Sequence, residues 1–536
     1  MLPADLIARL PITRAAGPGD DVAVADLTDD SRRVVPGGLF VCRGPVDDRA
    51  AGFIEQAIAG GASAVLTQAV CGEALPIVIP DRVVHLVADD GDVVDQRLAG
   101  QLAERFFDQP ASKLRLIGIT GTNGKTTTAT ITQHLLRATG EACGLLGTVH
   151  VDTGHADGPR AAELTTPGAI ELSRLLAEMV ANGCTCAVME VSSHALHQGR
   201  ADHLRFAAAG FTNLTQDHLD YHGTMADYAD AKALLFESLD ADATAVLNGD
   251  DATSKRMAQD CKAGVVTTHV TNDSRTMDDA CSPSVCSAYA LVTELFASHS
   301  RARFVGPWGD VEAVLPLVGP HNLANAIQAA ALAHAVTGIE AERLRTALDA
   351  CPPVPGRLES VGSDWPEVVS TRDSKHSPAV LVDYAHTPDA LQNVAAALRS
   401  LTAQDGRLII VFGCGGDRDR AKRPLMAQAA CRYADVVVLT SDNPRTEYPQ
   451  QILDDAQTGF AQAEAAREVR PETHIEIDRA KAICLAIELA TPIDTVLIAG
   501  KGHEDYQVLG TAKVHFDDRE HAAAALRARQ SAKPHA

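Results

Sequence analysis

A glycine-rich segment constrains this chain more than any other feature: Gly121-Thr-Asn-Gly-Lys-Thr-Thr127 stands between a predicted strand over residues 114–120 and a predicted helix. In such a loop, backbone N–H groups wrap a phosphate and the helix N-terminus favours negative charge. Lys125 can bridge the terminal phosphates, and Thr126 is the expected magnesium ligand. The spacing differs from the common G-x-x-x-x-G-K-[ST] loop because residue 119 is Ile. We therefore predict a nucleoside-triphosphate site formed by Gly121, Thr122, Asn123, Gly124, Lys125, Thr126 and Thr127.

The alternation of apolar runs with helix-prone segments predicts an α/β protein. Its 536 residues suggest about three or four domains. We predict a small α/β domain over residues 1–110, a central P-loop ATPase-like domain with a mainly parallel sheet over 111–354, and a C-terminal Rossmann-like domain over 355–536. The proline-rich segment PPVPGRLE (352–359) marks the second boundary and is the expected hinge between these domains.

Four segments carry more specific structural predictions. In the first domain, LPIVIP (75–80) is predicted to be a strand, and residues 92–108 a polar, helix-prone link. Turn residues and alternating patches over 265–305 predict an antiparallel appendage of the central sheet. The polar insertion 362–378 is predicted to be a flexible surface loop.

The formal net charge of −23 disfavours binding to nucleic acid or to an anionic membrane. The 12 cysteines are scattered without a C-x-x-C pair, so neither a zinc site nor a disulfide framework is expected. No run of ~18 apolar residues occurs, and the N-terminus lacks an apolar signal region. We expect a cytosolic, monomeric protein without membrane insertion or a nucleic-acid partner.

Several polar residues of the central domain are weak site candidates when taken singly. Glu190 lies near the end of a predicted strand, where a carboxylate suits magnesium. His218 would be an unusual magnesium ligand, so residue type alone favours a loop hydrogen bond. Lys232 is most simply a solvated helix lysine. Asn322 and Asn325, three residues apart on one helix, suit either an adenine edge or a helix start.

A second set of polar residues follows the strand predicted over residues 434–440. The run ADVVVLT is continuous, β-branched and short, as expected for a buried parallel strand. Asp442, Asn443 and Arg445 then project from its carboxyl end, where open α/β sheets bind ligands. An arginine after a strand is often a surface residue, but three other strand-end motifs of this domain converge on the same rim. We therefore predict a ligand site there.

Together the motifs resemble those of the Mur ligase family. In chain order they are G-T-N-G-K-T-T, M-E-V-S-S-H, D-H-L-D-Y-H-G, Y-x-x-A-K, G-x-H-N-x-x-N and P-G-R-L-E. D-S-R, T-T-P, G-D-R-D, D-N-P-R and G-K-G-H-E narrow the resemblance to members that add meso-2,6-diaminopimelate. The resemblance implies that ATP phosphorylates the γ-carboxylate of UDP-N-acetylmuramoyl-L-alanyl-D-glutamate. The amino group of diaminopimelate would then displace phosphate to form an amide, in peptidoglycan precursor synthesis.

The resemblance also implies roles for individual residues. Catalytic roles fall to Lys125, Lys232 and His218, with Lys232 N-carboxylated by CO₂ because a carbamate supplies oxygen ligands to Mg²⁺. The implied magnesium ligands are Thr126, Glu190, His218 and Lys232, and the implied adenine contacts are Asn322 and Asn325. The implied ligands of the UDP-muramoyl-dipeptide are Ser31, Thr165, Thr166, Ser192, Gln198 and Arg200. The implied ligands of diaminopimelate are Arg418, Asp442, Asn443, Pro444, Arg445, Gly500 and Glu504, with Arg445 gripping the distal carboxylate.

Other interpretations of these motifs remain open. An L-lysine-adding homologue would run the same reaction with an amino acid that lacks the distal carboxylate, and a folylpolyglutamate-synthase-like ligase would share the phosphate loop without needing D-N-P-R. A P-loop kinase or ATPase leaves the third domain without a role, and a non-enzymatic binding module leaves the phosphate loop without one. The loop RGPVDDRAAGF lacks the D-G pair usual in the family and so departs from it at the uridine contacts over residues 45–47.

Overall fold

In the computed structural model of the chain, all residues are described except 19–21, 70–75, 90–91, 274–286, 297, 363–376, 465–469 and 533–536. The described residues form three β-sheets with helices packed around them and one two-stranded hairpin. In chain order the sheets are called the N-terminal, central and C-terminal sheets. The predicted α/β class is confirmed. None of the helices in the described part of the chain is long and apolar enough to cross a membrane.

The N-terminal sheet has five strands and is parallel except for its first strand. In spatial order its strands are Ile12–Ala16, Val84–Ala88, Ala64–Thr67, Leu39–Val41 and Leu27–Thr28. The helices around it are Pro3–Ile7, Asp48–Ala59 and Gln96–Phe106.

The strand predicted at LPIVIP is wrong. Residues 76–80 form no strand, and Val78 is 86% exposed. Pro76 and Pro80 each lack a backbone N–H, so a ladder through this segment would lose donors at both. The chain instead pairs at Val84–Ala88, which is buried along most of its length.

The helix-prone character predicted for residues 92–108 is confirmed, but the helix also has an apolar face that the predicted polar link does not. Helix Gln96–Phe106 is capped by Asp95, and its apolar face is part of the core of the N-terminal sheet. Its polar face reaches the central sheet, because Gln96 Oε1 accepts from Ala169 N at 2.8 Å and Glu104 Oε1 accepts from Ser173 Oγ at 2.8 Å. The helix therefore ties the first two sheets together.

The central sheet has eleven strands, of which the inner seven are parallel. In spatial order they are Gly309–Leu315, Ser300–Gly306, Ser287–Leu295, Gly264–Thr271, Thr244–Asn248, Phe206–Phe211, Arg115–Thr120, Cys186–Glu190, Cys143–Leu146, His150–Asp152 and Arg160–Ala161. Its helices are Lys125–Ala138, Ala169–Ala181, Ser193–His197, Leu219–His222, Met225–Glu237, Ser254–Ala258, Pro320–Thr337 and Ala341–Asp349. Apolar cores cover both faces, as expected for a parallel sheet.

The antiparallel appendage predicted over residues 265–305 is confirmed only in part. Ser287–Leu295 and Ser300–Gly306 form an antiparallel pair, but Gly264–Thr271 lies parallel to both of its neighbours. All three strands extend the central sheet itself.

The C-terminal sheet has six strands and is parallel except at its first pair. In spatial order they are Glu359–Ser360, Ala379–Asp383, Thr495–Ala499, Leu408–Cys414, Val436–Ser441 and Glu472–Ile475. Its helices are Pro388–Leu401, Lys422–Tyr433, Pro449–Glu464, Arg479–Leu489 and Asp518–Ala532, and the hairpin of Tyr506–Leu509 with Ala512–His515 follows it. The buried strand predicted at residues 434–440 is confirmed, while most of the loop predicted at 362–378 lies outside the described residues.

Candidate active site

The phosphate loop lies at the carboxyl end of an inner strand of the central sheet, as predicted. Gly121 and Gly124 have φ angles of +144° and +86°, a region that favours glycine. A Cβ atom at Gly121 would overlap Thr212 Oγ1, and one at Gly124 would overlap Asn325 Oδ1. Two neighbouring elements thus press on the loop, and helix Lys125–Ala138 begins directly after it, so that its positive N-terminal end faces the loop.

The partly buried Lys125 and the buried Lys232 point at one backbone oxygen of this loop. Lys125 Nζ donates to Gly121 O and Thr122 O at 2.9 Å each, and Lys232 Nζ donates to the same Gly121 O at 2.9 Å. Within the described part of the chain, neither ammonium group forms an ion pair. Burial lowers the pKa of Lys125 and lowers the pKa of Lys232 far below its usual range, with the charge of Lys125 adding to the effect on Lys232. The interpretation of Lys232 as a solvated lysine is therefore wrong.

The two predicted magnesium ligands nearest the loop lie together. Thr126 Oγ1 donates to Glu190 Oε2 at 3.1 Å, and both residues are buried. Thr148, which the sequence did not single out, donates to Glu190 through its N–H at 2.8 Å and its hydroxyl at 3.0 Å. Hydroxyl and carboxylate oxygens are ligands that Mg²⁺ prefers, so this pair fits a magnesium ion beside the terminal phosphates.

His218 lies at the start of the short helix Leu219–His222, in the left-handed conformation with φ +52°. Its side chain is half exposed, and its ring centre is 4.8 Å from that of His194 and 6.1 Å from that of Tyr228. The described residues contain no group of three or more His, Cys, Asp or Glu side chains that could hold a metal ion. The structure thus brings Thr126 and Glu190 together. The role of His218 as a metal ligand remains a prediction.

Asn322 and Asn325 lie buried in the first turns of helix Pro320–Thr337. Asn325 Nδ2 donates to Asn322 Oδ1 at 3.2 Å, and Asn325 Oδ1 accepts from Thr128 Oγ1 at 3.3 Å. A cavity of about 280 Å³ adjoins Asn325. It is lined by Asn123, Gly124, Thr212, Asn213, Asn248, Asp250, Val270, Pro320, His321, Ala324 and Asn325. The cavity opens beside the phosphate loop, where the base of a bound nucleotide would extend.

A larger cavity of about 890 Å³ lies where the N-terminal and central sheets meet. Seven arginines and five carboxylates line it, so this surface is cationic within a strongly acidic chain. They are Arg32, Arg33, Arg43, Arg49, Arg160, Arg174, Arg200, Asp29, Asp30, Glu163, Glu171 and Glu178. Arg174 also bridges the two sheets by donating to Asp26 Oδ1 at 2.8 Å and Leu27 O at 2.6 Å. Such a surface suits an anionic substrate of the size of a nucleoside-diphosphate sugar.

Two of the predicted dipeptide-substrate residues, Ser31 and Arg200, line this cavity. Ser31 Oγ donates to Gln56 Oε1 at 2.6 Å. Arg200 donates twice to Gln198 Oε1, at 3.0 and 2.7 Å, and once to Thr166 O at 2.8 Å. The guanidinium is thereby fixed at the wall of the cavity.

The remaining predicted residues of this group connect the cavity to the magnesium candidates. Thr166 Oγ1 donates to Glu190 O at 2.9 Å and accepts from Ser192 N at 3.0 Å. Thr165 Oγ1 lies 3.0 Å from Thr148 Oγ1, which in turn contacts Glu190. A carboxylate held near Thr165 would therefore lie close to the phosphate loop.

The predicted arginine fork lies at the carboxyl end of strand Val436–Ser441. Arg445 has φ +52°, its Nη1 donates to Gly416 O at 2.7 Å, and its backbone pairs with the hairpin that follows the sheet. A Cβ atom at Gly415 would lie 3.0 Å from Arg445 Nη1 and 3.7 Å from Arg418 Cγ. The two predicted arginines therefore converge beside one glycine.

An amide and a carboxylate of this rim are hydrogen-bonded to each other. Asn443 is buried, and its Nδ2 donates to Glu504 Oε2 at 3.0 Å. Asp442 Oδ1 lies 3.7 Å from Lys501 Nζ. Burial raises the pKa of Asp442, although the charges of Arg479 and Lys501 act in the opposite direction. The amide of Asn443 thus already has a partner within the protein.

Sequence reasoning missed residues in the space between the central and C-terminal sheets. The Arg357 guanidinium lies 4.8 Å from the centre of the Tyr384 ring, and its charge adds to burial in lowering the pKa of Lys125. Asp383 accepts from the N–H of Leu358 at 2.8 Å. A cavity of about 390 Å³ also separates the two sheets, lined by Thr122, Asn123, Thr215, Gln216, Asp217, His218, Leu219, Asp220, Thr387, Pro388, Asp389, Ala390, Gln392, Asn393 and Lys422. The motif P-G-R-L-E includes Arg357, but only the fold places this residue near the phosphate loop.

Comparison with known proteins gives consistent matches along the chain. Residues 119–333 match the family described as Mur ligase middle domain, and residues 367–502 match the Mur ligase, glutamate ligase domain. A protein of Synechococcus elongatus named UDP-N-acetylmuramoyl-L-alanyl-D-glutamate--2,6-diaminopimelate ligase is 43% identical over 525 residues, covering 96% of each chain. A Geobacillus kaustophilus protein of the same name is 41% identical over 518 residues, covering 95% of this chain and 96% of its own.

Solved structures agree with these matches. A structure of a UDP-N-acetylmuramoyl-L-alanyl-D-glutamate--2,6-diaminopimelate ligase aligns with a TM-score of 0.64 and 31% identity, covering 99% of this chain and 100% of the other. A MurF ligase from Thermotoga maritima in complex with ADP aligns at 0.55 and 15% identity, over 96% and 99% of the two chains. A folylpolyglutamate synthase from Mycobacterium tuberculosis, complexed with ADP and AMPPCP, aligns at 0.55 and 19%, over 81% and 95%. At these identities the last two show the fold alone.

A phosphate loop with a hydroxyl–carboxylate pair, set between an anion-binding cavity and a rim of arginines and carboxylates, defines an ATP-dependent ligase that forms amide bonds. Identity above 40% across nearly the whole chain makes the assignment more specific. The chain belongs to the Mur ligase family, as its motifs predicted.

Proposed function

We propose that this protein joins meso-2,6-diaminopimelate to the γ-carboxyl group of D-glutamate in UDP-N-acetylmuramoyl-L-alanyl-D-glutamate, using ATP, during synthesis of the peptidoglycan precursor. The observation that supports this most directly is the position of the phosphate loop. It lies between the arginine-lined cavity, which suits the nucleotide sugar, and the cavity that faces the C-terminal sheet. Relatives of matching length and 41–43% identity bear this activity in their names.

The proposed reaction consists of two displacements. A γ-carboxylate oxygen of D-glutamate attacks the γ-phosphorus of ATP, the bond to ADP breaks, and an acyl phosphate forms. The amino nitrogen of diaminopimelate then attacks the carbonyl carbon, the C–O bond to phosphate breaks, and the amine loses a proton. Lys125, now bonded to two loop carbonyls, would turn to the phosphate oxygens and stabilise their charge together with the helix N-terminus.

The residues present fit a magnesium ion. Thr126 and Glu190 offer oxygen atoms 3.1 Å apart in a buried position beside the loop, and they would hold the ion. When bound there, Mg²⁺ would neutralise charge on the transferring phosphoryl group. His218 is a proposed further ligand, and Asn322 and Asn325 are the proposed contacts of the adenine end.

Lys232 is the proposed site of N-carboxylation by CO₂. The modification requires the neutral amine: a bond forms between Nζ and the carbon of CO₂, and a proton leaves. Burial, together with the nearby Lys125, lowers the pKa of Lys232 and so favours that neutral form. With ¹³C-labelled bicarbonate, the wild-type protein should give a carbamate NMR signal that is missing from Lys232→Met. A wild-type spectrum without this signal would refute the modification.

Arg445 is proposed to select diaminopimelate through its distal carboxylate. A guanidinium offers two parallel charged donors to a carboxylate and repels the ammonium group that L-lysine carries at that end. Losing such a pair costs ~2–5 kcal/mol, so Arg445→Ala should raise the KM for diaminopimelate by at least about 30-fold while leaving the KM for ATP unchanged. Arg205→Ala, at an arginine whose side chain is 82% exposed, is the matched control.

A ligation assay with ATP, the UDP-muramoyl-dipeptide and a panel of amino acids tests the whole proposal. ADP together with a new amide to meso-diaminopimelate is the expected result. Preference for L-lysine would assign the lysine-adding reaction instead, and glutamate addition to a folate would assign the folylpolyglutamate-synthase-like reaction. Release of phosphate without an amide would leave an ATPase.

A further inference from the structure

A buried lysine, Lys501, lies behind the acidic rim of the C-terminal sheet and has no part in the reaction as described so far. It follows strand Thr495–Ala499, between Gly500 and Gly502, whose φ angles are +116° and +55°. A Cβ atom at Gly502 would lie 2.7 Å from Tyr384 Cβ, so this bend needs glycine. The bend turns the chain inward, and Lys501 is fully buried.

Three acceptors surround the Lys501 ammonium group. Its Nζ lies 3.2 Å from Glu504 Oε2, 3.4 Å from Asn443 Oδ1 and 3.7 Å from Asp442 Oδ1. The first two contacts are hydrogen bonds, and the third is an ion pair that is too long for a hydrogen bond. The centre of the Tyr506 ring, 5.4 Å away, adds an aromatic face. One buried cation thus connects the loops that follow two different strands.

Lys501 and Asn443 act on the same oxygen of Glu504. Asn443 Nδ2 donates to Glu504 Oε2 at 3.0 Å, and Lys501 Nζ approaches that oxygen at 3.2 Å. In the part of the chain that the structure describes, no group is hydrogen-bonded to Oε1 of Glu504. The Glu504 side chain is 19% exposed, so this second oxygen can reach a ligand in the rim.

We propose that Lys501 is a positioning residue for the amino-acid substrate: it fixes the Glu504 carboxylate through Oε2 so that Oε1 is aimed at the substrate's amino group. Lys501 also offsets the charge of Asp442, whose Oδ1 is buried without a hydrogen-bond partner. Without this cation, two carboxylates would face each other in a low-dielectric environment and repel. This inference rests on the proposed function, because it concerns the amino acid that the rim receives.

Lys501→Met tests the proposal, because it keeps the length of the side chain and removes its charge. Since this variant leaves Asp442 buried without a nearby ammonium group, a second pair of proteins is needed. In Asp442→Asn with Lys501→Met both charges are removed, and Asp442→Asn alone is its reference. Lys481→Met, at a lysine whose side chain is 73% exposed, is the control for charge removal in general.

The measurements are KM for the amino acid, KM for ATP and kcat, with melting curves to verify folding. Calorimetric titration of meso-diaminopimelate into enzyme loaded with the UDP-dipeptide and a non-hydrolysable ATP analogue gives binding apart from turnover. Removing Lys501 should raise the amino-acid KM and Kd by about tenfold or more in both backgrounds, with the KM for ATP changed by less than about twofold. A merely structural role would not produce this split.

A double-mutant cycle identifies the residue through which Lys501 acts. In a Glu504→Gln background, Lys501→Met should no longer weaken binding of the amino acid, because its partner charge is already gone. Two results would overturn the proposal. One is an equal loss of amino-acid binding when Lys501→Met is added to Glu504→Gln. The other is an amino-acid KM that is the same in Asp442→Asn with Lys501→Met as in Asp442→Asn alone. If the wild type forms its amide with another amino acid, meso-diaminopimelate is not the substrate and the proposed function is wrong. The same double-mutant cycle, run with that other amino acid, then still tests the role of Lys501.

Discussion

The lysines at the phosphate loop and at the C-terminal rim differ in what their ammonium groups face. At the phosphate loop, Lys125 and Lys232 both donate to the carbonyl oxygen of Gly121, and no carboxylate pairs with either among the described residues. At the C-terminal rim, Lys501 lies beside the carboxylates of Asp442 and Glu504. Backbone carbonyls satisfy hydrogen bonds without neutralising charge, whereas the carboxylates do both.

The difference indicates which site needs an anionic ligand and which site already contains anionic side chains. A buried cation without a counter-charge destabilises the fold, so its presence indicates that a ligand supplies the missing charge. At the loop, that ligand is the triphosphate for Lys125. Under the proposed function, CO₂ instead converts the neutral amine of Lys232 into a carbamate, so that no cation remains there. At the rim, the chain supplies the anions itself, and Lys501 keeps them in place.

The largest effect that would test this comparison is expected at the phosphate loop. Lys125→Met should lower the rate of amide formation by about a thousandfold or more, because the phosphates lose their principal cationic contact. The unliganded variant should nevertheless be at least as stable as the wild type, since a partly buried charge without an ion-pair partner is removed. Steady-state turnover and melting curves, with Lys481→Met as control, measure both. A variant that melts well below the wild type would contradict the contrast.

The opposite change in stability is expected at the rim. Lys501→Met should lower the free energy of unfolding by ~1–3 kcal/mol, because it leaves the partly buried carboxylates of Asp442 and Glu504 without their cation. Urea unfolding measures this change. Adding Asp442→Asn should restore part of the loss. If Lys501→Met and Lys125→Met shift stability in the same direction, the two environments are not distinct.

The smallest change in stability is expected at Lys232, and its dependence on pH tests the comparison further. Because its pKa is lowered in the fold, this lysine destabilises the protein fully at pH values below that lowered pKa. The penalty shrinks as the pH rises from there to the ordinary value near ~10.4, since the unfolded chain binds more protons over that range. Lys232→Met should therefore stabilise the unliganded protein in CO₂-free buffer at neutral pH. The advantage should shrink as the pH rises toward 10.4, the ordinary lysine value. A gain that is independent of pH would exclude this origin.

Local sequence patterns predicted the parts of the site that lie at strand ends. The phosphate loop and the rim after residue 441 both follow short apolar strands, and in a parallel sheet the position of the strand fixes where the next loop opens. The pairing of Thr126 with Glu190 follows from the same rule, because the strand before the phosphate loop is a neighbour of the strand that ends at Glu190.

Features that depend on contacts distant in sequence could not be predicted in this way. The apolar run LPIVIP suits a strand, but its prolines cannot complete a ladder, and the pairing goes to residues 84–88. The role of Thr148 depends on Glu190, 42 residues away, so no local pattern could reveal it. Glu504 is three residues from Lys501, but the contact of both with Asn443, 58 residues from Lys501, depends on the fold.

The arginine-lined cavity has a kinetic consequence. All of its lining residues lie between Asp29 and Arg200, within the first two sheets, whereas the rim around Arg445 belongs to the third. The nucleotide sugar can therefore be captured whatever the position of the C-terminal sheet, while the amine must enter through it. We expect ordered addition, with the amino acid as the last substrate to join the complex and its saturation curve dependent on prior occupancy of the other two sites.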